Sequence, residues 1–321
     1  MAPDEDPIET AVDEGTDLYD VATWEERSML DRAAVTLHGA LAANARLFVV
    51  VLAALVFTAQ IGGVVWLTSQ NPGIGVVALL SAIPALGLVL FVWTQDTVEK
   101  EPLASLAVTF VLAVLFASFA ATVNTILGGL FRAVPLVGMA LFFYLVVAPV
   151  EETVKWLAVR LYAYRREEFD AVIDGAVYGA VAGLGFATIE NVLYVVQGFL
   201  QAQEAGGSQA IQAAVGTGFS RALAGPGHVI YSAWAGYYLG LAKYNPENRG
   251  PIVVKGLLAA SLIHGTYNTL VTYLPRDAFA GVGFVGFVLV FDGFFFYLLY
   301  RKMARYRDTY ADAVEDGEND P

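Results

Sequence analysis

Residues 139–159 read MALFFYLVVAPVEETVKWLAV, a hydrophobic segment with three ionisable side chains near its centre. About 20 apolar residues suffice for a helix that crosses a bilayer. An ionisable group at membrane depth costs several kcal/mol, and such groups usually face the protein interior or a water-filled cavity. Glu151, Glu152 and Lys155 therefore predict a membrane helix with a polar, functional face.

The composition extends this prediction to the whole chain. Its 321 residues are 57% hydrophobic and 15% charged, whereas soluble domains are about 25% charged. We predict an all-α fold, a polytopic membrane helix bundle of about eight transmembrane helices, with the sixth broken at Gly225–Gly227. The predicted spans are 47–67, 74–93, 103–130, 138–160, 172–199, 211–242, 252–273 and 281–301.

The distribution of basic residues predicts the orientation of the bundle. Loops on one side contain only Arg132 and Arg276, and most other Lys and Arg residues lie on the other side. Cytoplasmic loops are enriched in Lys and Arg. We therefore expect a multi-pass protein of the cell membrane with both termini in the cytoplasm.

The whole chain has a net charge of −13, and its acidic residues concentrate at the two ends. Like-charge blocks are usually solvated and disordered. We predict an acidic, disordered cytoplasmic segment at 1–45, a transmembrane domain at 46–303 and an acidic tail at 304–321. The charge argues against nucleic-acid binding, which needs basic surface, and the absence of cysteine excludes thiolate metal sites and cysteine nucleophiles.

Glu151, Glu152 and Lys155 of the fourth span lie on neighbouring faces of one helix. Glu151 and Lys155 are spaced i, i+4, and Glu152 and Lys155 are spaced i, i+3. One carboxylate can pair with the lysine while the other stays free for proton transfer. The alternative is a buried ion-pair cluster that only stabilises helix packing.

Three further spans place polar groups at a similar depth. Glu190 follows a stripe of glycines that allows close helix packing, His228 follows the predicted break, and His264 shares a helix face with Asn268 at i, i+4. At 1.5 Å per residue, these groups and Glu151 lie roughly 14–25 Å from a membrane face. Arg221 could neutralise a carboxylate, and Asp292 is expected to pair with Arg221 or Lys155.

Two hydrolytic mechanisms fit this set of residues. In one, Glu190, His228 and His264 bind Zn²⁺, and Glu151 or Glu152 is the base that acts on water. In the other there is no metal: a glutamate activates water directly, and His264 with Asn268 stabilises the oxyanion. No H-E-x-x-H motif is present, so the spacing leaves both open.

At these positions the chain resembles the PrsW-type intramembrane proteases, which are distantly similar to the CAAX prenyl endopeptidases and the Abi family. The resemblance rests on Glu151-Glu152-Thr153-Val154-Lys155, Phe186-Ala187-Thr188-Ile189-Glu190 and His264-Gly265-Thr266-Tyr267-Asn268. It implies an intramembrane endopeptidase acting on a membrane-protein or peptide substrate, for which an anti-sigma-factor-like protein is one candidate.

We therefore expect Glu151, Glu152, Lys155 and Asn268 to be catalytic, with Glu151 as the general base. Glu190, His228 and His264 are the expected ligands of a Zn²⁺ ion. Two other classes of protein share features with this one: an ion- or proton-coupled transporter, since broken helices and membrane carboxylates mark transporters, and an inactive scaffold that binds substrate helices.

Overall fold

A computed structural model describes residues 25–96, 100–274 and 281–319, together with Asp17. The helices are α1 (Met29–Gln70), α2 (Pro72–Leu80), α3 (Ile83–Thr94), α4 (Leu103–Arg132), α5 (Gly138–Phe142), α6 (Ala148–Leu161), α7 (Val172–Glu204), α8 (Ala210–Lys243), α9 (Arg249–Tyr273) and α10 (Val282–Asn319). A π-helical turn, Phe143–Val147, joins α5 to α6, and the described residues contain no strand. The all-α prediction is confirmed.

The chain divides into two units, Met1–Val51 and Leu52–Pro321. In the first unit, α1 begins with a reciprocal cap. The Asp31 amide donates to the Ser28 hydroxyl (3.1 Å), and the Ser28 amide donates to the Asp31 carboxylate (2.6 Å), which satisfies two donors that a helix start leaves unpaired. All the site residues discussed below lie in the second unit.

The surface of the second unit is apolar, as expected for a protein surrounded by lipid. Leu55, Leu145 and Val290 are 64%, 64% and 74% exposed, whereas Glu152, Lys155 and Asp174 are fully buried. Within the described residues, five segments are long and apolar enough to cross a membrane: Ala43–Gln70, Pro72–Thr94, Leu103–Arg132, Val172–Glu204 and Val282–Asp312. The inverted distribution of polarity supports a membrane helix bundle.

Helices α7 and α8 form the centre of the bundle and pack backbone to backbone. Gly175, Gly179 and Gly183 recur every four residues along α7, each against the α8 backbone. A Cβ atom at any of them would approach an α8 carbonyl oxygen to less than 3.0 Å. The predicted glycine stripe is therefore a packing surface, because only glycine permits this approach.

The predicted break in the sixth span is wrong, because α8 is helical throughout Ala210–Lys243 with Pro226 inside it. Proline removes one backbone donor, yet transmembrane helices tolerate it when neighbouring groups compensate. Helix α8 contacts α7 on both sides of Pro226, at Thr217 and Gly218 before it and at His228 and Ser232 after it, which supports a continuous helix. The irregular backbone lies instead in the fourth span, where the π turn precedes Pro149, a residue that cannot donate a helical hydrogen bond.

Other boundaries also differ from the predicted ones. The second span consists of α2 and α3, which are separated by a turn at residues 81–82. Helix α1 begins at Met29, within the segment predicted to be disordered, and α10 continues to Asn319, through most of the predicted tail. Most of residues 1–24 lie outside the described residues, and the domain division stays a prediction.

Candidate active site

Glu151, Glu152 and Lys155 of α6 are buried together at the centre of the bundle. The Lys155 ammonium donates to Glu152 Oε1 at 2.6 Å, and both side chains are 0% exposed. The predicted pairing of one carboxylate with the lysine is thus confirmed, and Glu152 is that carboxylate. Lys155 also lies 4.6 Å from the centroid of the Phe186 ring, a distance at which the ring face attracts a cation.

Glu152 joins three helices through its two carboxylate oxygens. Oε1 lies 2.8 Å from Nδ1 of His264 on α9, and Oε2 accepts a hydrogen bond from Ser232 of α8 at 3.3 Å. Because a carboxylate can only accept, Nδ1 of His264 carries the proton. The other ring nitrogen, Nε2, is therefore the one available for a ligand, as in histidines that a carboxylate orients toward a metal.

His228 of α8 lies between a lysine and a glutamate. Lys155 lies 3.1 Å from its Nδ1, and Glu190 Oε2 lies 2.8 Å from its Nε2. An ammonium group has no lone pair to accept a hydrogen bond, so Nδ1 accepts and Nε2 donates to Glu190. A metal at Nε2 needs the other neutral tautomer, with the ring proton on Nδ1, and the Lys155 ammonium would then have to leave its contact with Nδ1.

Glu190 of α7 is paired with Arg221 of α8. Nη2 of Arg221 lies 2.5 Å from Glu190 Oε2, and Nε donates to Asn191 Oδ1 at 2.8 Å. Asn191 in turn donates to the Ser81 hydroxyl at 2.9 Å. The expected neutralisation of a carboxylate by Arg221 is confirmed.

Glu151 has one engaged and one free carboxylate oxygen. Asn124 of α4 donates to Oε1 at 3.0 Å. Oε2 is buried, has no hydrogen-bond partner among the described residues and lies 3.7 Å from His264 Nε2. A buried carboxylate oxygen without a partner is costly, so this atom is suited to a metal ion or a water molecule.

Glu151, His228 and His264 form a compact group of potential metal ligands. One donor atom from each lies within 4.8 Å of the other two, and all three side chains are buried. Two imidazoles and one carboxylate are a donor set that catalytic zinc uses, with a fourth position left for water. The residues therefore fit Zn²⁺. Glu190, the expected third ligand, is not part of this group within the described residues.

The ring of Tyr231, on α8, lies against both histidines of the site. The Tyr231 ring stacks on His264 with centroids 5.2 Å apart, and its hydroxyl donates to Asp292 Oδ1 at 3.1 Å. Asp292 was expected to pair with Arg221 or Lys155, and this expectation is wrong, because Asp292 accepts its hydrogen bond from Tyr231. Tyr231 therefore connects α10 to the site and restricts the orientation of the His264 ring.

A cavity of about 1170 Å³ reaches the site from one end of the bundle. Glu151, Glu190, His228 and His264 lie on its wall, as does the predicted catalytic residue Asn268. Its other walls come from the C-terminal parts of α4, α7 and α9 and the N-terminal parts of α5, α8 and α10. These are the helix ends that the sequence predicts on the outer face, so a substrate approaching from that side could reach the carboxylates.

Three residues that contact the site were not predicted from the sequence: Asn124, Tyr231 and Tyr194. The centroid of the Tyr194 ring lies 4.6 Å from the Arg221 guanidinium. An amide in the otherwise apolar third span was a usable signal for Asn124. The tyrosines gave no such signal, because aromatic residues are common throughout this chain.

Comparisons with known proteins agree with this geometry. The model of the family described as PrsW family intramembrane metalloprotease matches residues 101–295, which include every site residue named above. No solved structure matches the chain.

Several curated relatives are named Protease PrsW. That of Geobacillus kaustophilus is 32% identical over 62% of this chain and 82% of its own length. That of Bacillus subtilis is 27% identical over 66% of this chain and 90% of its own length. That of Oceanobacillus iheyensis is 29% identical over 68% of this chain and 89% of its own length. The chain therefore belongs to the PrsW family of intramembrane metalloproteases and is a multi-pass membrane protease that acts on protein substrates in the membrane.

Proposed function

We propose that this protease hydrolyses peptide bonds at the point where Glu151, His228 and His264 converge. The observation that carries the proposal is the 4.8 Å grouping of their donor atoms at the wall of the cavity. These three side chains would hold Zn²⁺. When bound, zinc lowers the pKa of its water to about 7 and polarises the scissile carbonyl.

In this proposal Glu151 and Glu190 exchange the roles that the sequence suggested. Glu151 supplies a free buried oxygen close to His264 Nε2, which suits a ligand. Glu190 is held in place through Oε2 by Arg221 and His228, which leaves Oε1 to accept a proton from the attacking water. Arg221 is then a positioning residue.

Glu152 and Lys155 also act as positioning residues, since neither lines the cavity. Glu152 sets the proton of His264 on Nδ1, which leaves Nε2 for the ion, and Lys155 holds Glu152 through their ion pair. Asn268 lies on the cavity wall beside the site, and its amide can donate to the oxyanion as the carbonyl is attacked.

The cavity also suggests the form of the substrate. Peptide bonds in an intact transmembrane helix are satisfied within the helix and are shielded from attack. Gln197, Thr217 and Ser220 on the cavity wall offer hydrogen-bond partners to an unwound segment. We infer that cleavage occurs in a locally extended part of a membrane protein and that this part enters the cavity from the outer face. This arrangement places the bundle in the cell membrane with both termini of the protease in the cytoplasm. An anti-sigma-factor-like protein is one candidate of this kind.

The test compares membrane-protein fragments, by quantitative mass spectrometry of new N-termini, from cells expressing the wild type or a variant at equal levels. We expect Glu151→Gln and His264→Ala to lose fragments that the wild type produces. Glu167→Gln, the same change at an exposed acid, is the matched control and should retain them. Wild-type fragment patterns in both site variants would refute the assignment.

Metal analysis of the purified protein tests the ligand set. Stoichiometric zinc should be present in the wild type and Glu190→Gln and absent from Glu151→Gln and His228→Ala. Zinc retained by Glu151→Gln but lost by Glu190→Gln would restore the roles that the sequence suggested. Full activity after chelation would instead favour direct activation of water by Glu151. Ion flux in proteoliposomes without proteolysis would favour a transporter, and substrate binding without cleavage would favour a scaffold.

A further inference from the structure

A second cluster of acidic side chains lies away from the active site. Asp96 follows the end of α3, Glu101 precedes α4, and Asp174 lies in the first turn of α7. One carboxylate oxygen from each lies within 4.8 Å of the other two, and the side chains are 2%, 1% and 0% exposed. The cluster lies at the N-terminal ends of α4 and α7, whereas the catalytic cavity involves their C-terminal parts.

Two members of the cluster have oxygens that no protein group satisfies. Both carboxylate oxygens of Glu101 and Oδ1 of Asp174 are buried without a hydrogen-bond partner among the described residues. The other oxygen of Asp174 accepts from the backbone amides of Asp170 and Ala171 at 2.7 and 2.8 Å. Because both oxygens of Glu101 are unsatisfied, the one that lies near Asp96 and Asp174 is unsatisfied as well.

Two lysines near these acids make other contacts, although the charge of Lys243 attracts Asp174 from a distance. Lys243 donates to the Phe169 carbonyl, and Lys100 lies over the Trp93 ring. In the described part of the chain, neither Glu101 nor Asp174 forms a salt bridge. Burial, with smaller contributions from Asp96, Asp174 and Asp170, raises the pKa of Glu101 to about 9. Without a direct ion pair, the buried oxygens of Glu101 and Asp174 need either protons or a bound cation.

We propose that Asp96, Glu101 and Asp174 form a Ca²⁺ site. Carboxylate oxygens are the ligands that this hard cation prefers, at about 2.3–2.6 Å. Oxygens on opposite sides of such an ion are up to about 5 Å apart, so three oxygens that lie within 4.8 Å of one another can contact a single ion. The set contains no nitrogen or sulfur donor of the kind that zinc favours.

Bound Ca²⁺ would join the connection between α3 and α4, which carries Asp96 and Glu101, to the first turn of α7, which carries Asp174. The two helices that begin here supply residues of the active site: α4 contributes Asn124, the partner of Glu151, and α7 contributes Glu190. The cation would therefore stabilise the helices that carry the catalytic groups without contacting them. This proposal does not depend on the identity of the catalytic metal.

The experiment measures thermal unfolding of the detergent-solubilised protein in EDTA and in excess CaCl₂. At about a hundredfold excess over Kd, the wild type should gain about 5 °C or more in Tm. Glu101→Gln should lose the gain and be at least as stable as the wild type in EDTA, because it removes a buried carboxylate that has no partner. Glu168→Gln, which changes a neighbouring acid bound to Ser105, should keep the gain.

Glu151→Gln should also keep the gain, which separates this site from the catalytic one. A Ca²⁺-dependent shift retained by Glu101→Gln would overturn the proposal. So would a wild type that ignores Ca²⁺ and gains stability only as the pH falls, since the cluster would then hold protons instead of a cation.

Discussion

Replacement of Lys155 by methionine tests the buried charge network most directly. Methionine keeps most of the side-chain volume and removes the ammonium that lies 2.6 Å from Glu152 Oε1 and 3.1 Å from His228 Nδ1. At 2.6 Å and an effective dielectric constant of 20, the Glu152–Lys155 attraction is about 6 kcal/mol before desolvation is counted. Because both groups are fully buried, desolvation offsets much of this attraction.

Removal of one partner has a larger effect than the net value of the pair, since it leaves a buried charge uncompensated. Such truncations cost about 3–5 kcal/mol. We expect Lys155→Met to reduce the free energy of unfolding by this amount and to abolish proteolysis. The double variant Lys155→Met with Glu152→Gln removes both charges and should recover most of the stability, because replacement of a whole buried pair is often close to neutral.

The assay is reversible unfolding in mixed micelles for the wild type, both single variants and the double variant, which together form a double-mutant cycle. Activity should stay absent in the double variant, because Glu152 no longer orients His264. A coupling energy below about 1 kcal/mol, or a double variant less stable than Lys155→Met, would refute the reasoning that the two charges compensate each other.

Three further predictions concern other parts of the structure. Gly179→Ala should destabilise the protein by about 2 kcal/mol or more, since its Cβ would collide with the Ser232 carbonyl, whereas Gly62→Ala, with open space around it, should be neutral in the same unfolding assay. Asn124→Ala should lower kcat with little change in KM for a membrane substrate, because it frees the Glu151 oxygen that Asn124 binds; equal activity of Asn124→Ala and wild type would contradict this role. In EDTA, stability should fall as the pH rises from about 4.5 to about 9, because a raised pKa of Glu101 favours the folded state only while the carboxyl is protonated, and Glu101→Gln should flatten that dependence.

Contacts within one helix were predictable from the sequence because the helical period is constant. The 3.6-residue repeat places Glu152 and Lys155 on one face, and the structure contains that ion pair. The four-residue spacing of Gly175, Gly179 and Gly183 likewise predicted a close helix contact that the structure confirms. The break at Pro226 was wrong because a local signal was overridden by packing against α7, which the sequence does not display.

Contacts between helices required the tertiary structure, because they depend on how far each helix is rotated and shifted against its neighbours. The position of each residue along its predicted span placed Glu151, Glu190, His228 and His264 at a similar membrane depth. It could not distinguish which glutamate approaches both histidines. The packing of α6 against α8 and α9 brings Glu151 to His228 and His264. Arg221, about two turns before His228 on α8, pairs with Glu190 instead. The amino-acid sequence by itself thus determined a membrane helix bundle with a polar centre, and only the tertiary structure decided the partner of each charge, since a one-residue rotation of a helix moves a side chain by about 100°.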